Sequence, residues 1–232
     1  ECDPRLIPLF QRSFSHEIKF ISDRSEITED DYNSHLPIGS LPLHFRKSLN
    51  DFEATSKGWL QADPERVKSI QEIIIKSQSE KIVGLSWNTK SLSGQASKRK
   101  IKLDVLLMHL KELGFKFINL QYGEVSEEIS NLKLNHGIDI IEIPDLDLFK
   151  DIDGLAATIA SCDCVISITN INPHLAGALN VKTNLLLPYA ADERWGYKTD
   201  KSYWYNSVSI YRQKEPGNWS QPLSKLVGDL SK

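Results

Sequence analysis

From residue 81 onward the chain alternates short apolar runs with amphipathic stretches, and this alternation narrows the possible folds more than any other feature. KIVGLSW (81–87), FKFINLQ (115–121) and residues 137–143, 163–168, 183–187 and 208–211 read as strands, bounded by polar or glycine-containing segments. LDVLLMHLKEL (103–113), which stops at Gly114, and residues 152–161 and 220–230 read as helices. Alternation of this kind belongs to a parallel sheet covered by helices on both faces, so the expected class is α/β with a doubly wound sheet. In the strand order 3-2-1-4-5-6 the first and fourth strands are neighbours, and ligands bind in the crevice outside their carboxyl ends. Those ends are Trp87-Asn88-Thr89-Lys90 and Thr169-Asn170-Ile171-Asn172, both polar.

The fourth strand runs through a polar turn into a small-residue helix. Pro173 suits a first helical position because it has no N–H to leave unpaired, and Asn172 before it is placed to cap. Free N–H groups in the first turn, at the positive end of the peptide dipole, would favour a phosphate near His174. Ala176, Gly177 and Ala178 would let this helix lie close to the sheet. Among strand-tip residues, Asn88 and Lys90 are ligand candidates, while Trp87 is expected to pack beneath the loop. After the fifth strand, Arg194 or Asp192 is expected to face the cleft as a ligand candidate. Trp204 and Tyr205 would hold the aromatic loop 197–205 against the body. Glu127 and Glu128 are expected on a solvated helix surface.

The first 61 residues differ. A short helix (5–12), a strand (17–22), a polar loop and a Pro/Gly-containing stretch with a short helix (36–45) are too little for a complete sheet domain. Residues 1–61 are therefore expected to be part of an amino-terminal Rossmann-like domain. Residues 62–80 would be a linker helix starting at ADPE, and 81–232 the carboxyl-terminal domain. A net charge of −3 gives no reason to expect nucleic acid or an anionic membrane as partner. No apolar run approaches a membrane span of about 20 residues, and the opening residues lack a signal-peptide pattern. Cys162 and Cys164 lack metal-ligand spacing and read, with Cys2, as free thiols of a cytoplasmic protein. No Gly-x-Gly-x-x-Gly fingerprint follows the 81–87 strand, which disfavours a dehydrogenase, and no metal motif is present.

Nine short motifs, in order, carry a resemblance: ECDPRLIPLFQRSF (1–14), IGSLP (38–42), ADPERV (62–67), VGLSW (83–87), LQYGE (120–124), HLAGAL (174–179), LLLPYAADERW (185–195), WYNSVSIYRQ (204–213) and PGNW (216–219). With them the chain resembles the carboxyl-terminal part of bacterial tetratricopeptide-repeat glycosyltransferases, relatives of the heptosyltransferases and, more distantly, of the O-linked N-acetylglucosamine transferases. The resemblance implies a GT-B architecture, two Rossmann-like domains facing a cleft, with repeats and the start of the first domain upstream. It implies a metal-independent hexosyl- or heptosyltransferase that needs no cofactor. The donor would be a nucleoside-diphosphate sugar and the acceptor a protein or glycan hydroxyl.

By the same resemblance, His174 would reach a diphosphate oxygen. Arg99 and Lys100, in the basic run 98–100 beside the loop 91–97, would neutralise the phosphates of the leaving group. Gln121, Tyr122 and Gly123 would lie near the nucleotide base. Thr169 and Asn170 stand where relatives carry Asp-Thr, so the carboxylate is lost here. That departure motivates an alternative, a catalytically degenerate GT-B module that binds a ligand or acts as a scaffold. A nucleotide-sugar epimerase, which shares the two-domain architecture, is a third reading.

Overall fold

A computed structural model describes residues 1–55, 58–74, 80–89 and 97–232. Its centre is a six-stranded, wholly parallel sheet in the order β3-β2-β1-β4-β5-β6. The strands are β1 Ile82–Ser86, β2 Lys116–Asn119, β3 Ile140–Ile141, β4 Cys164–Ile168, β5 Thr183–Leu187 and β6 Val208–Arg212. β1, β4 and β5 are buried along their whole length, which is why they appear in sequence as unbroken apolar runs. The expected strand order and doubly wound class are both present.

Helices cover both faces. α4 (Leu103–Leu110), α5 (Ser126–His136) and α8 (Ser220–Leu230) share one core with Val83, Leu85, Ile166 and Leu186. On the opposite face, α1 (Ile7–Ser13) and α6 (Ile152–Ala160) pack with α7 (Asn172–Ala178) around Leu120 and Val165. α3 (Pro64–Ile73) adds Ile70 to a neighbouring cluster with Ile82 and Ile118. α3 starts as expected, with Asp63 accepting from the N–H groups of Glu65 and Arg66 ahead of Pro64 in the first turn. The β5–β6 crossover has no α-helix. Its 3-10 turn Glu193–Trp195 instead drives the Trp195 indole into a core with Leu185, Leu187, Val208 and Ile210.

Some expectations are corrected. The region 17–22 forms no strand: no described strand pairs with it, and its backbone bonds are a local turn from the Ile18 N–H to the Ser15 carbonyl and a bond from the Cys2 N–H to the Ile21 carbonyl. β3 is two residues long instead of seven, because it is an edge paired only to β2 and follows directly on α5. β2 pairs over Lys116–Asn119, and Leu120 and Gln121 run beyond it as its tip. In the first 61 residues the short helix α2 (Pro42–Phe45) appears as expected.

Candidate functional site

The carboxyl ends of β1, β2 and β4 are laced together by side-chain amides. Gln121 Oε1 accepts from Ser86 Oγ (3.1 Å) and from the N–H groups of Trp87 (3.1 Å) and Asn88 (2.8 Å). Its Nε2 donates to the Tyr122 carbonyl (3.1 Å). Asn170 Nδ2 donates to Ser86 Oγ at 2.7 Å, which ties the tip of β4 to the tip of β1. Asn172 Nδ2 donates to the Leu120 carbonyl at 3.1 Å and so reaches β2. Gln121 and Asn172 are thus buried struts, whereas Asn88 and Asn170 stay half-exposed at the rim.

This lacing changes the expected picture of the helix end. α7 begins at Asn172, one residue earlier than expected, and Asn172 does not cap it; Asn170 Oδ1 accepts the Asn172 N–H instead (2.9 Å). Pro173 has no N–H, and the N–H groups of His174 and Leu175 both donate to the Ile171 carbonyl. The first turn therefore has no free donor of the kind expected at residues 172–175. Ligand recognition at this end falls to side chains.

Those side chains gather where β4 and β5 end. The His174 ring stacks on Trp195 (4.7 Å between centroids, 29°), and its Nδ1 lies 3.2 Å from Tyr205 Oη. Trp195 Nε1 donates to Thr169 Oγ1 at 3.3 Å, so Thr169 holds the indole that supports the histidine. Burial, reinforced by the nearby Arg194 charge, lowers the His174 pKa to about 4, so the ring is neutral at neutral pH. Asp192 caps the 3-10 turn and is gripped by Arg194 through two bonds, Nε to Oδ1 (2.8 Å) and Nη2 to Oδ2 (2.5 Å). That pairing, with desolvation opposing it and the Arg99 charge assisting, lowers the Asp192 pKa to about 2. Arg194 thus bonds this carboxylate beside His174, and the Arg99 charge adds a weaker through-space attraction.

A second part of the crevice lies at the ends of β2 and β3. A groove of ≈ 430 Å³ is bounded by Gln121, Tyr122, Gly123, Glu142, Asp147 and Phe149, with Tyr122 and Phe149 5.8 Å apart and tilted by 42°. Gly123 has a φ of 94°, the left-handed region that lets the chain turn sharply away from the strand. Glu142 and Phe149 escaped the reading of the sequence; a carboxylate directly after a strand, in IEIP (141–144), was the available signal for the first.

Lys100 is set apart from Arg99. The Ile101 N–H bonds the Trp87 carbonyl (3.1 Å), and Lys98, Lys100 and Lys102 line a different groove, between α4 and the start of α8, with Trp219. Lys90 and the loop 91–96 lie outside the described residues. Trp87 is buried as expected, with Nε1 donating to Glu128 Oε2 (2.9 Å). Glu128 therefore joins β1 to α5, unlike the exposed Glu127, and is not simply a solvated surface acid. Cys162 and Cys164 are buried thiols, and burial pushes the Cys164 pKa up to about 11. Among the described residues no group of three or more His, Cys, Asp or Glu side chains is arranged to hold a metal ion, and no helix is long and apolar enough to cross a membrane.

No protein-family model matches the chain. It is 28% identical over 239 aligned residues to Protein FlbA of Caulobacter vibrioides, an alignment that spans 97% of this chain and 39% of that protein. Among solved structures, a glycosyl transferase family 9 protein from Veillonella parvula aligns over 66% of this chain and 42% of its own, at 11% identity and a TM-score of 0.49. The E. coli ADP-heptose lps heptosyltransferase II aligns over 74% of this chain and 53% of its own, at 13% identity and a TM-score of 0.53. The likeness to the last is one of fold: the chain shares the Rossmann-like α/β architecture of part of that heptosyltransferase.

Proposed function

We propose that the crevice binds a nucleoside-diphosphate sugar and that the protein transfers the sugar to a protein or glycan hydroxyl in the cytoplasm. The observation that carries this reading is the Arg194–Asp192 pair, within reach of the Arg99 charge, beside a neutral His174 where β4 and β5 end, next to the switch point between β1 and β4. A guanidinium next to a neutral hydrogen-bonding ring, with a second cationic charge acting on the same carboxylate, suits a diphosphate, whose negative charge grows as the glycosidic bond breaks. The groove with Tyr122, Phe149 and Glu142 gives room for the nucleoside. In this reading Asn88 at the rim, and Arg194 if a diphosphate displaces Asp192, would orient the sugar and phosphates, while Asn170, bonded to Ser86 and to the Asn172 N–H, would shape the rim. The acceptor would approach from the side of residues 1–61, read here as part of the first domain, with the repeats upstream.

Calorimetry against ADP, UDP, GDP and CDP tests the reading. One of these should bind, and Arg99→Ala and Arg194→Ala should each weaken it about tenfold or more, the range for losing a hydrogen bond to a charged group. If none of the four nucleotides produces heat, the proposal fails.

One observation favours the degenerate module as a second reading. Position 169 has a hydroxyl engaged by Trp195, and the carboxylate beside His174, Asp192, is fixed in its ion pair and too weak a base to take a proton at neutral pH. Nucleotide binding without sugar transfer or donor hydrolysis would decide for this reading.

A further inference from the structure

We infer that Tyr205 is a positioning residue that holds the His174 imidazole in its Nε2–H form, so that His174 meets its ligand as a hydrogen-bond donor and not as a base. The inference rests on the nucleotide-binding reading for its purpose, but its geometry stands without it.

Two rings and one hydroxyl fix the imidazole. Trp195 stacks on one face, and Tyr205 meets it edge-on, with centroids 5.8 Å apart at 69°. Tyr205 is itself held firmly. Its ring lies so close to Gly177 that a β-carbon there would run into Cγ, and its backbone N–H donates to Ser202 Oγ (3.3 Å). The hydroxyl is thereby placed 3.2 Å from His174 Nδ1.

The direction of that bond follows from the strengths of the two groups. Burial raises the Tyr205 pKa, so the phenol keeps its proton at neutral pH. Nδ1 is the partner that the described residues give this hydroxyl. Either direction leaves one hydrogen without a protein acceptor, the phenol's or the one on Nε2, so a count of partners does not decide between them. A phenol O–H is a stronger donor than a neutral imidazole N–H, and an imidazole nitrogen is a stronger acceptor than a phenol oxygen. The hydroxyl therefore donates to Nδ1, and the ring's single proton is on Nε2.

Burial leaves the ring uncharged; of the charged groups that face it, Arg194 acts in the same direction and Asp192 in the opposite one, and Tyr205 is neutral. Nε2 has no partner among the described residues, and the ring is half-exposed. An N–H without a protein partner, beside the Arg194 guanidinium, calls for a group that only accepts, such as a phosphoryl oxygen. It is not the arrangement of a group that deprotonates an acceptor hydroxyl.

Nitrogen-15 spectra of the ring in the unliganded protein near neutral pH provide the test. The expected result is a proton on Nε2 and an Nδ1 resonance displaced by an accepted hydrogen bond. Tyr205→Phe keeps the ring that packs on Gly177 and should remove the displacement and populate the Nδ1–H form. A proton on Nδ1 in the parent protein, or an Nδ1 resonance unchanged in Tyr205→Phe, overturns the inference. In calorimetry with the nucleotide that binds best, His174→Gln, whose amide can still donate, should stay within a few-fold of the parent, and His174→Ala should lose about tenfold. Equal losses for the two variants count against the donor role. If no nucleotide binds while the spectra are as expected, the functional reading falls and the assignment of the proton stands.

Discussion

At the scale of single residues, the unusual feature is a histidine kept uncharged between a tryptophan and a tyrosine, and it makes stability depend on pH. Its pKa is about 4 in the folded chain against an ordinary 6.5. Between those values the unfolded chain takes up a proton that the folded chain refuses, so acid favours unfolding. The stabilisation is complete above about pH 6.5 and is lost as pH falls towards 4. Asp192, lowered to about 2 from 3.8, acts in the same direction but only below pH 3.8, so the two do not overlap. The loss assigned to His174 is on the order of 2–3 kcal/mol. Urea unfolding of the parent and of His174→Asn at about pH 7 and pH 4.5 measures it: the parent should lose more stability between the two conditions than the variant. Superimposable pH profiles would mean that the ring is not neutral in the fold. The tight approach of Tyr205 to α7 gives a second expectation at this scale. Gly177→Ala sets a β-carbon against Tyr205 Cγ and 2.7 Å from its Cβ, atoms that cannot swing aside without moving the backbone. It should cost about 1–3 kcal/mol in thermal or urea unfolding and, unlike the same change at the open Gly228, should disturb the His174 ring resonances.

At the scale of elements, the legible parts were those whose sequence pattern is dictated by burial. β1, β4, β5 and α8 were readable because a strand covered on both faces, or a helix covered on one, has to repeat its apolar residues at a fixed period. The switch point followed from the strand order alone. What escaped depends on contacts between distant parts of the chain. The region 17–22 has a strand-like composition but no strand to pair with, and Gln121 looked like a ligand residue until its amide was found spanning β1 and β2. The free helix end failed for a similar reason: Asn170, Asn172 and Ile171 consume the donors and the cap locally, and only the backbone path reveals that. The basic run 98–100 shows the same limit, since composition cannot tell that Arg99 acts on Asp192 while Lys98 and Lys100 line another groove. By contrast, Asp192, Arg194 and His174, taken from two separate motifs, do lie together.

At the scale of the whole molecule, the amino-terminal segment divides in its packing. Leu9 and Leu60 lie in the same core as Leu155, Ala156 and Leu175, and the N–H groups of Trp59 and Leu60 both donate to the Ala178 carbonyl at the end of α7. Residues 22–52, in contrast, bury no side chain, and Ile38, Leu43 and Phe45 are largely exposed. α1 and residues 58–60 thus brace α6 and α7, the helices behind the crevice, whereas residues 22–52 add no buried side chain to that core. Charge joins the brace to the sheet domain: Arg12 pairs with Asp153 in the first turn of α6 and donates to the Gln61 carbonyl, and Arg66 pairs with Asp151, which caps the same helix. The Arg12–Asp153 pair is mostly shielded from solvent, so each partner should leave the other poorly solvated when removed. Arg12→Ala and Asp153→Ala should each destabilise by about 1–3 kcal/mol, and the double variant should recover at least about 1 kcal/mol relative to their sum. Amide exchange should quicken first in α1 and at residues 58–60, before the sheet opens, because these contacts are what hold that segment down. Strict additivity in the cycle, together with unchanged exchange in α1, would reduce the pair to a solvated surface contact and leave the apolar contacts of Leu9 and Leu60 as the whole of the brace.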